Sequence, residues 1–568
     1  MQTAGMALLE TLDQAGVRYI FANLGSDHPP FVEAIAAAHA TGSRVPEIIT
    51  CPNEMVALSA AHGYAQVSGA AQAVLVHVEC GTQALAGAVH NASKGRVPVV
   101  IIAGASPFTQ EGELRGSRNE FIQWIQDVHD QRGIVRGYMR YDTELRTGRN
   151  IRQMTLRALQ FANSDPKGPV YLMAAREVLE EDVPEVAVDP AAWVPVAPAG
   201  LPPDDVGSLA EALMTARRPL VVTSYLGRSV AAVAELVRLC GRLGIGVLDS
   251  VPNATNFPAD DPLYQGNQWN EPRQNEALAE ADLVLVIDSD VPWIPSVSRP
   301  RPDASIYHID IDPLKQAMPL WYIGAHRVWR AEAAIALAQL NAHLDAQPAA
   351  DFESRRTHWA SRHAHRAAAL REREVPRGDT ITGEVLTARI RAHLDADTIV
   401  LNETISNYTA SIDHLRMTRA GRLFGSGAGS LGWHGGAAIG AKLARPEATV
   451  IALCGDGSYM FSVPSTVHWI AKHYATPFLT VIYNNRGWKS PKLSALAVHP
   501  HGHASRANEI GVTFDPPPDY AGIAAAAGGA LARRVERASD LDAAITDALR
   551  AVREERRCAV LDVWLPHL

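Results

Sequence analysis

The sequence predicts an α/β protein built as three doubly wound parallel-sheet domains. Apolar runs of strand length recur along the whole chain, near-continuous instead of alternating, as in strands buried on both faces. Each run is followed by a stretch of helical period before the next, the order of a crossover-linked parallel sheet. At 568 residues the chain is too long for one core, and 47% apolar with 20% charged residues is a globular balance.

The elements follow in order. "MQTAGMALLETLDQAG" reads as an amphipathic helix without a basic leader or cleavage site, so no secretory signal is expected. "QAVLVHV", "PVVIIAG" and "PVYLMAA" supply strands of a first domain, residues 1–183. The Pro- and Ala-rich stretch 184–205 reads as a linker opening a middle domain, 184–350, with strands in "RPLVVTSY", "IGVLDS", "ADLVLVID" and "SIYHIDI". Residues 351–380, dense in Arg, His and Glu, read as a charged surface helix and connector. The third domain, 381–568, carries "DTIVLN", "TVIALCG", "FLTVIYNN" and "CAVLDVWL". A formal charge of −9 leaves no basic footprint for nucleic acid, and no apolar run approaches a bilayer span. Five scattered cysteines, none in a CxxC pair, argue for a reducing cytoplasm and against structural zinc.

The chemistry concentrates at two strand ends. In an open α/β sheet, ligands sit beyond the carboxyl ends of strands. Asp456 lies there between Gly455 and Gly457, followed by Ser458; 26 residues separate this GDG from the pair Asn484–Asn485. The glycines permit close backbone approach, and following helix amides can face a phosphate. Mg²⁺ takes a few protein oxygens, and the Asp456 carboxylate, the Asn485 amide and the Gly487 carbonyl are candidates. Either half alone is more often an ordinary turn; the two at this spacing are a specific signal.

GDG, 26 residues and NN resemble the cofactor motif of thiamine-diphosphate-dependent enzymes, the family of acetolactate synthase, benzoylformate decarboxylase and pyruvate decarboxylase. The resemblance extends over "FANLGSDHPPFVEAI", "CPNEMVALSAAHGYAQVSG", "HVECGTQALAGAVHNASKGRVPVVIIAG" and "LFGSGAGSLGWHGGAAIG", most of the chain. It implies pyrimidine-binding, middle Rossmann-like and diphosphate-binding domains, with thiamine diphosphate and Mg²⁺ as cofactors. Asp456, Asn485 and Gly487 are then the metal ligands, and Gly455, Gly457 and Ser458 belong to the diphosphate loop. Glu54 meets the aminopyrimidine ring, Gly81 and Thr82 lie beside the cofactor, and Leu431 holds its bent shape. Ser26 and His77 fall where benzoylformate decarboxylase has a substrate serine and a proton-relaying histidine. His28 stands on the same loop. Gln123 aligns with a family glutamine, with Gln126 a competitor in register.

Departures from the family pattern are Glu79 beside the Gly–Thr turn, His434 in "WHGGAAIG", and Trp488 and Lys489 at the expected substrate entrance. The second relay histidine has no counterpart in 289–300, where Trp293 stands. That loss puts a lyase or carboligase of acetolactate-synthase type, working on 2-oxo acids or aldehydes through an enamine, ahead of a simple 2-oxo acid decarboxylase. A non-catalytic thiamine-diphosphate-binding protein is the alternative of another class, and it would be expected to lack Glu54. FAD, which acetolactate synthases bind in the middle domain, is not demanded by any feature. The resemblance also implies a homo-oligomer with sites at a dimer interface, commonly a dimer of dimers. "GSGAGSLG" is no dinucleotide fingerprint, because it precedes the strand carrying GDGS instead of following one.

Overall fold

The computed structural model describes residues 1–321, 323–348, 350–507 and 510–567. Three six-stranded sheets run along the chain, each wholly parallel. The first has the order Glu47–Thr50, Tyr19–Ala22, Gln72–Val76, Val99–Ala105, Val170–Ala175, Tyr141–Leu145. The second runs Tyr264–Gln268, Gly246–Ser250, Pro219–Thr223, Leu283–Ile287, Ser305–Asp310, Arg327–Arg330. The third runs Leu423–Gly425, Ile399–Glu403, Val450–Gly455, Leu479–Asn484, Ala559–Trp564, Leu531–Val535. Their central strands are buried throughout, which is why the runs read as continuous in sequence. In each sheet the order reverses beside the strand that starts the domain, leaving a crevice at the carboxyl ends.

The middle domain has its own core, and helix Glu353–Arg373 closes it by burying Trp359 completely. The first and third domains each have a core of their own and share a further one between them. Its seam is the crossing of helices Glu54–Ser68 and Trp433–Ala444. Gly436 and Gly440 make the approach possible. A Cβ on Gly436 would lie 2.6 Å from the Ser59 Cβ and 2.6 Å from the Val56 carbonyl oxygen, and one on Gly440 only 2.6 Å from the Tyr64 nitrogen. The glycines of "WHGGAAIG" are therefore a close-packing device. No helix among the described residues is long and apolar enough to cross a membrane.

The Arg-rich helix Glu353–Arg373 is more than a charged surface helix: it buries Arg355, Trp359 and Leu370, and the Arg355 guanidinium donates to the Leu213 and Leu243 carbonyls. The N-terminal amphipathic stretch forms helix Ala4–Gln14, with Thr3 capping it through the Met6 N–H.

Candidate active site

Asp456 begins a short helix, Asp456–Phe461, directly after strand Val450–Gly455, and the neighbouring strand ends at Asn484. Parallel pairing thus sets GDG and NN side by side. The Asp456 carboxylate bridges them: Oδ1 accepts from the Gly457 N–H (2.9 Å) and Oδ2 from the Gly487 N–H (2.8 Å). Burial pushes this carboxyl up to about 6, against the amide hydrogen bonds that pull it down. The two asparagines divide their work. Asn484 is structural, donating to Asp562 (2.7 Å) and accepting from the Arg486 N–H. Asn485 is buried, and its amide makes no hydrogen bond among the described residues. Trp488 stands over Gly457, where a Cβ would lie 2.7 Å from its Nε1, and packs edge-on against Phe514. Lys489 starts the exposed helix Lys489–Val498, and its N–H donates to the Gly487 carbonyl (3.2 Å).

Leu431 is half-buried just ahead of helix Trp433–Ala444. The start of that helix is held by a residue the sequence did not single out, Glu403, at the end of strand Ile399–Glu403. Its buried carboxylate accepts from the N–H groups of Gly432 (2.7 Å), Trp433 (3.3 Å) and His434 (3.0 Å), and from His434 Nδ1 (2.6 Å). A carboxylate is the group a helix N-terminus favours. His434 is therefore buried as part of this cap, its ring held by Glu403 instead of facing a substrate pocket.

Glu54 opens its helix behind an Asn53 cap, and its Oε1 would lie 3.4 Å from a Cβ on Gly81. Next to it, His77 ends strand Gln72–Val76, and the loop 23–28 ends the adjacent strand Tyr19–Ala22. His77 Nδ1 faces Asp27 Oδ1 at 2.5 Å and Nε2 faces the Gln126 Oε1 at 3.0 Å. Asp27, which sequence reasoning passed over between Ser26 and His28, is buried and also accepts from the Val78 N–H (3.0 Å). Burial opposes its charge, but His28, His77 and that N–H hold it below the usual carboxylate range. The Asp27 hydrogen bond, with Glu54 adding charge, raises His77. His28 accepts from the Gly25 N–H (2.9 Å) through Nδ1, and burial lowers it. The Ser26 hydroxyl is buried without a partner.

Other predicted positions are spent elsewhere. Thr82 donates to the Val78 carbonyl and meets Tyr171 OH (2.8 Å), so its hydroxyl lies in the core. Glu79 is taken up by the Cys80 thiol (2.8 Å) and the Gln83 amide. Gln123 caps its own turn through the Asn119 and Glu120 N–H groups; the glutamine on His77 is Gln126. Trp293 is buried in the middle-domain core.

The residues present fit a diphosphate-bearing cofactor with a hard cation. The buried Asp456 carboxylate is tied to the Gly457 and Gly487 N–H groups, the buried Asn485 next along the chain keeps its side-chain amide unspent, and a Cβ on Gly455 would meet only the Thr404 carbonyl at 4.0 Å, leaving room beside them. Comparisons agree. Residues 2–134, 206–318 and 404–563 match the N-terminal binding, central and C-terminal binding domains of thiamine pyrophosphate enzymes. The chain is 26% identical over 490 residues to a probable 2-ketoarginine decarboxylase of Pseudomonas aeruginosa, covering 85% of this chain and 82% of the relative. It is 26% identical to benzoylformate decarboxylase of the same organism (85% and 86% covered). It is 25% identical to a probable acetolactate synthase large subunit of Methanocaldococcus jannaschii (84% and 80%). A thiamine diphosphate-dependent 4-hydroxybenzoylformate decarboxylase of Rhodococcus jostii RHA1 shares the fold, with TM-score 0.78, 22% identity and 100% and 99% coverage. With all three domain models matched in order, and Glu54 and Asp456 at their carboxyl-end positions, the chain belongs to the thiamine pyrophosphate enzyme family.

Proposed function

We propose that this enzyme uses thiamine diphosphate and Mg²⁺ to cleave the C–C bond beside the carbonyl of a 2-oxo acid, releasing CO₂ and an aldehyde. The observation that carries this reading is His77, a proton-bearing ring held between Asp27 and Gln126 next to Glu54 and the unspent Ser26 hydroxyl. Aldehyde release needs a proton delivered on the substrate side, and an imidazolium is suited to it.

Asp456, Asn485 and the Gly487 carbonyl would hold Mg²⁺. The Gly455–Ser458 amides would face the diphosphate, Leu431 would pack against the bent cofactor, and Glu54 would meet its aminopyrimidine N1′. When bound, thiamine diphosphate supplies an electron sink beside the cleaved bond. Glu54 holds a proton toward N1′, the Ser26 Oγ donates to a substrate oxygen, His77 Nε2 carries the proton to be delivered, and Trp488 shields the metal end from water. Following the family resemblance, we place the working site between two copies, with Glu54 from one and Asp456 from the other, in a homo-oligomer. The five free cysteines suit a reducing cytoplasm.

Carboligation of acetolactate-synthase type is the second reading. It rests on the absence of a histidine from 289–300, where a second proton carrier would serve decarboxylation.

The test is purified protein with thiamine diphosphate and Mg²⁺ against pyruvate, benzoylformate and 2-ketoarginine, each with and without an acceptor aldehyde, with products read by mass spectrometry. Aldehyde and CO₂ alone support the proposal. A new C–C bonded product transfers it to ligation, and cofactor-independent results throughout refute both.

A further inference from the structure

We infer that Asp27 is a positioning residue that keeps the His77 ring doubly protonated, and that the Gln126 amide holds the place of a substrate oxygen on Nε2. This rests on the reading that His77 faces substrate.

Both ring nitrogens face acceptors, a carboxylate at Nδ1 and an amide oxygen at Nε2. A neutral imidazole has one N–H and satisfies only one of them; the imidazolium satisfies both. The space for this pair is cut by two glycines. A side chain on Gly25 would collide with the His77 ring, and one on Gly104 with the Asp27 carboxylate. The second Asp27 oxygen is pinned by the Val78 N–H, so the carboxylate cannot turn away.

The charged and titratable groups around His77 come from four elements. The loop after Tyr19–Ala22 brings Asp27 and His28, and Glu54 comes from the head of its helix. Glu79 and Cys80 lie on the continuation of His77's own chain, and the segment 119–128 brings Gln126. His28 uses Nδ1 as an acceptor, its Nε2 lies 3.3 Å from the other Asp27 oxygen, and burial lowers it, so His77 is the ring that takes the short contact with Asp27. Glu79 is engaged by Cys80 and Gln83. Asp27 is thus the charge in direct contact.

Gln126 is half-used. Its Oε1 meets His77, while its buried Nε2 lacks a partner. It sits on a short turn, after the four-residue helix Ile122–Ile125, among the exposed Phe121, Trp124 and Ile125. A carboxylate oxygen of a 2-oxo acid is a stronger acceptor for an imidazolium N–H than a neutral amide oxygen, since both partners of that bond are ionised. Substrate therefore displaces the amide.

The test uses the full chain with ¹³Cε1-labelled histidine, His77 being assigned by its loss in His77→Asn. Expected is a native His77 titrating above the ordinary histidine range and moving acidward in Asp27→Asn. With the best 2-oxo acid substrate, kcat/KM of Asp27→Asn falls roughly 10²-fold at pH 8 and much less at pH 6, where bulk protons restore the ring. Gln126→Ala shows an equal or lower KM for the 2-oxo acid, since substrate no longer competes with the amide for Nε2. An unmoved midpoint, or the same activity loss at every pH, overturns the Asp27 assignment, and a raised KM in Gln126→Ala overturns the placeholder. Should Asp27→Asn not fold, ¹⁵N shifts of native His77 decide: two protonated nitrogens at neutral pH support the inference, one bare nitrogen overturns it. These resonances need no turnover, so failure of the proposed reaction leaves the inference separately judged.

Discussion

Gly436→Ala isolates the helix crossing that joins the first and third domains. In an isolated helix interior this substitution would stabilise by about 1 kcal/mol, because alanine has the higher propensity. Here the new Cβ would lie 2.6 Å from the Ser59 Cβ and from the Val56 carbonyl oxygen. Carbon–carbon contacts settle near ~3.5–4.0 Å, so the helices must separate by roughly 1 Å. Overpacking of this kind costs about 1–3 kcal/mol, which outweighs or cancels the propensity gain. Gly241 in helix Val230–Leu243 is the matched control, since a Cβ there meets nothing within 4 Å. Calorimetric melting at fixed scan rate should show Gly241→Ala at or above wild type and Gly436→Ala below it by a few degrees. Calorimetry should also show weaker thiamine diphosphate binding in Gly436→Ala, because Glu54 and Leu431 lie at the heads of the two displaced helices. Equal or higher stability of Gly436→Ala than of Gly241→Ala would refute the close-packing argument.

Four further outcomes are expected. Asp456→Ala should lose Mg²⁺-dependent thiamine diphosphate binding by titration calorimetry while keeping its far-ultraviolet spectrum; undiminished binding removes the metal assignment. Glu54→Gln should bind the cofactor yet lose turnover, and near-normal kcat contradicts its role at N1′. Gly25→Ala should abolish the His77–Asp27 contact and reduce kcat/KM more than it lowers the melting temperature, which a purely structural glycine would not do. Asp249 is raised by burial to about 7, despite hydrogen bonds from Asn256 and Tyr264. Its stabilising contribution is complete below the unfolded value and is lost as pH rises through about 7. Asp249→Asn should therefore gain about 2–3 kcal/mol on the native chain between pH 5 and 8; parallel stability profiles of the two proteins contradict this.

The three parallel sheets were legible because each strand carries its own continuous apolar signal, and the GDG–NN spacing was legible because both halves sit at adjacent strand ends. What escaped was contact between side chains on different loops. Asp27 meets His77 because strands Tyr19–Ala22 and Gln72–Val76 are parallel neighbours, so the segments following each converge. The strand order that brings them together is not written in either segment. Glu403 is hidden for the same reason, ending a strand beside Val450–Gly455 and reaching a helix start some 30 positions on. Gln123 and Gln126 could not be separated because Ile122–Ile125 is one turn long, too short for its periodicity to set a register. Thr82 shows the converse: its sequence neighbourhood is that of a cofactor residue, yet its hydroxyl turns inward to Tyr171.

The carboxyl-end crevice of the middle sheet holds Tyr225, whose hydroxyl donates to Asp310 (2.7 Å) and accepts from Lys315 (2.8 Å). Arg96, from the first domain, reaches in to make a two-pronged pair with Asp290 (2.7 and 3.0 Å) and stacks over the Tyr225 ring. Lys315 is fully buried between Asp290 and Asp310. Lys315 and Asp310 lie out of reach of dissolved salt and the Arg96–Asp290 pair is only partly exposed, so the angle between first and middle domains should depend weakly on ionic strength. A ligand entering that crevice would have to strip paired charges of their partners, at several kcal/mol each. The middle domain is thereby tied to the first as a strut, and salt acts on this enzyme more through its surface than through the alignment of these domains.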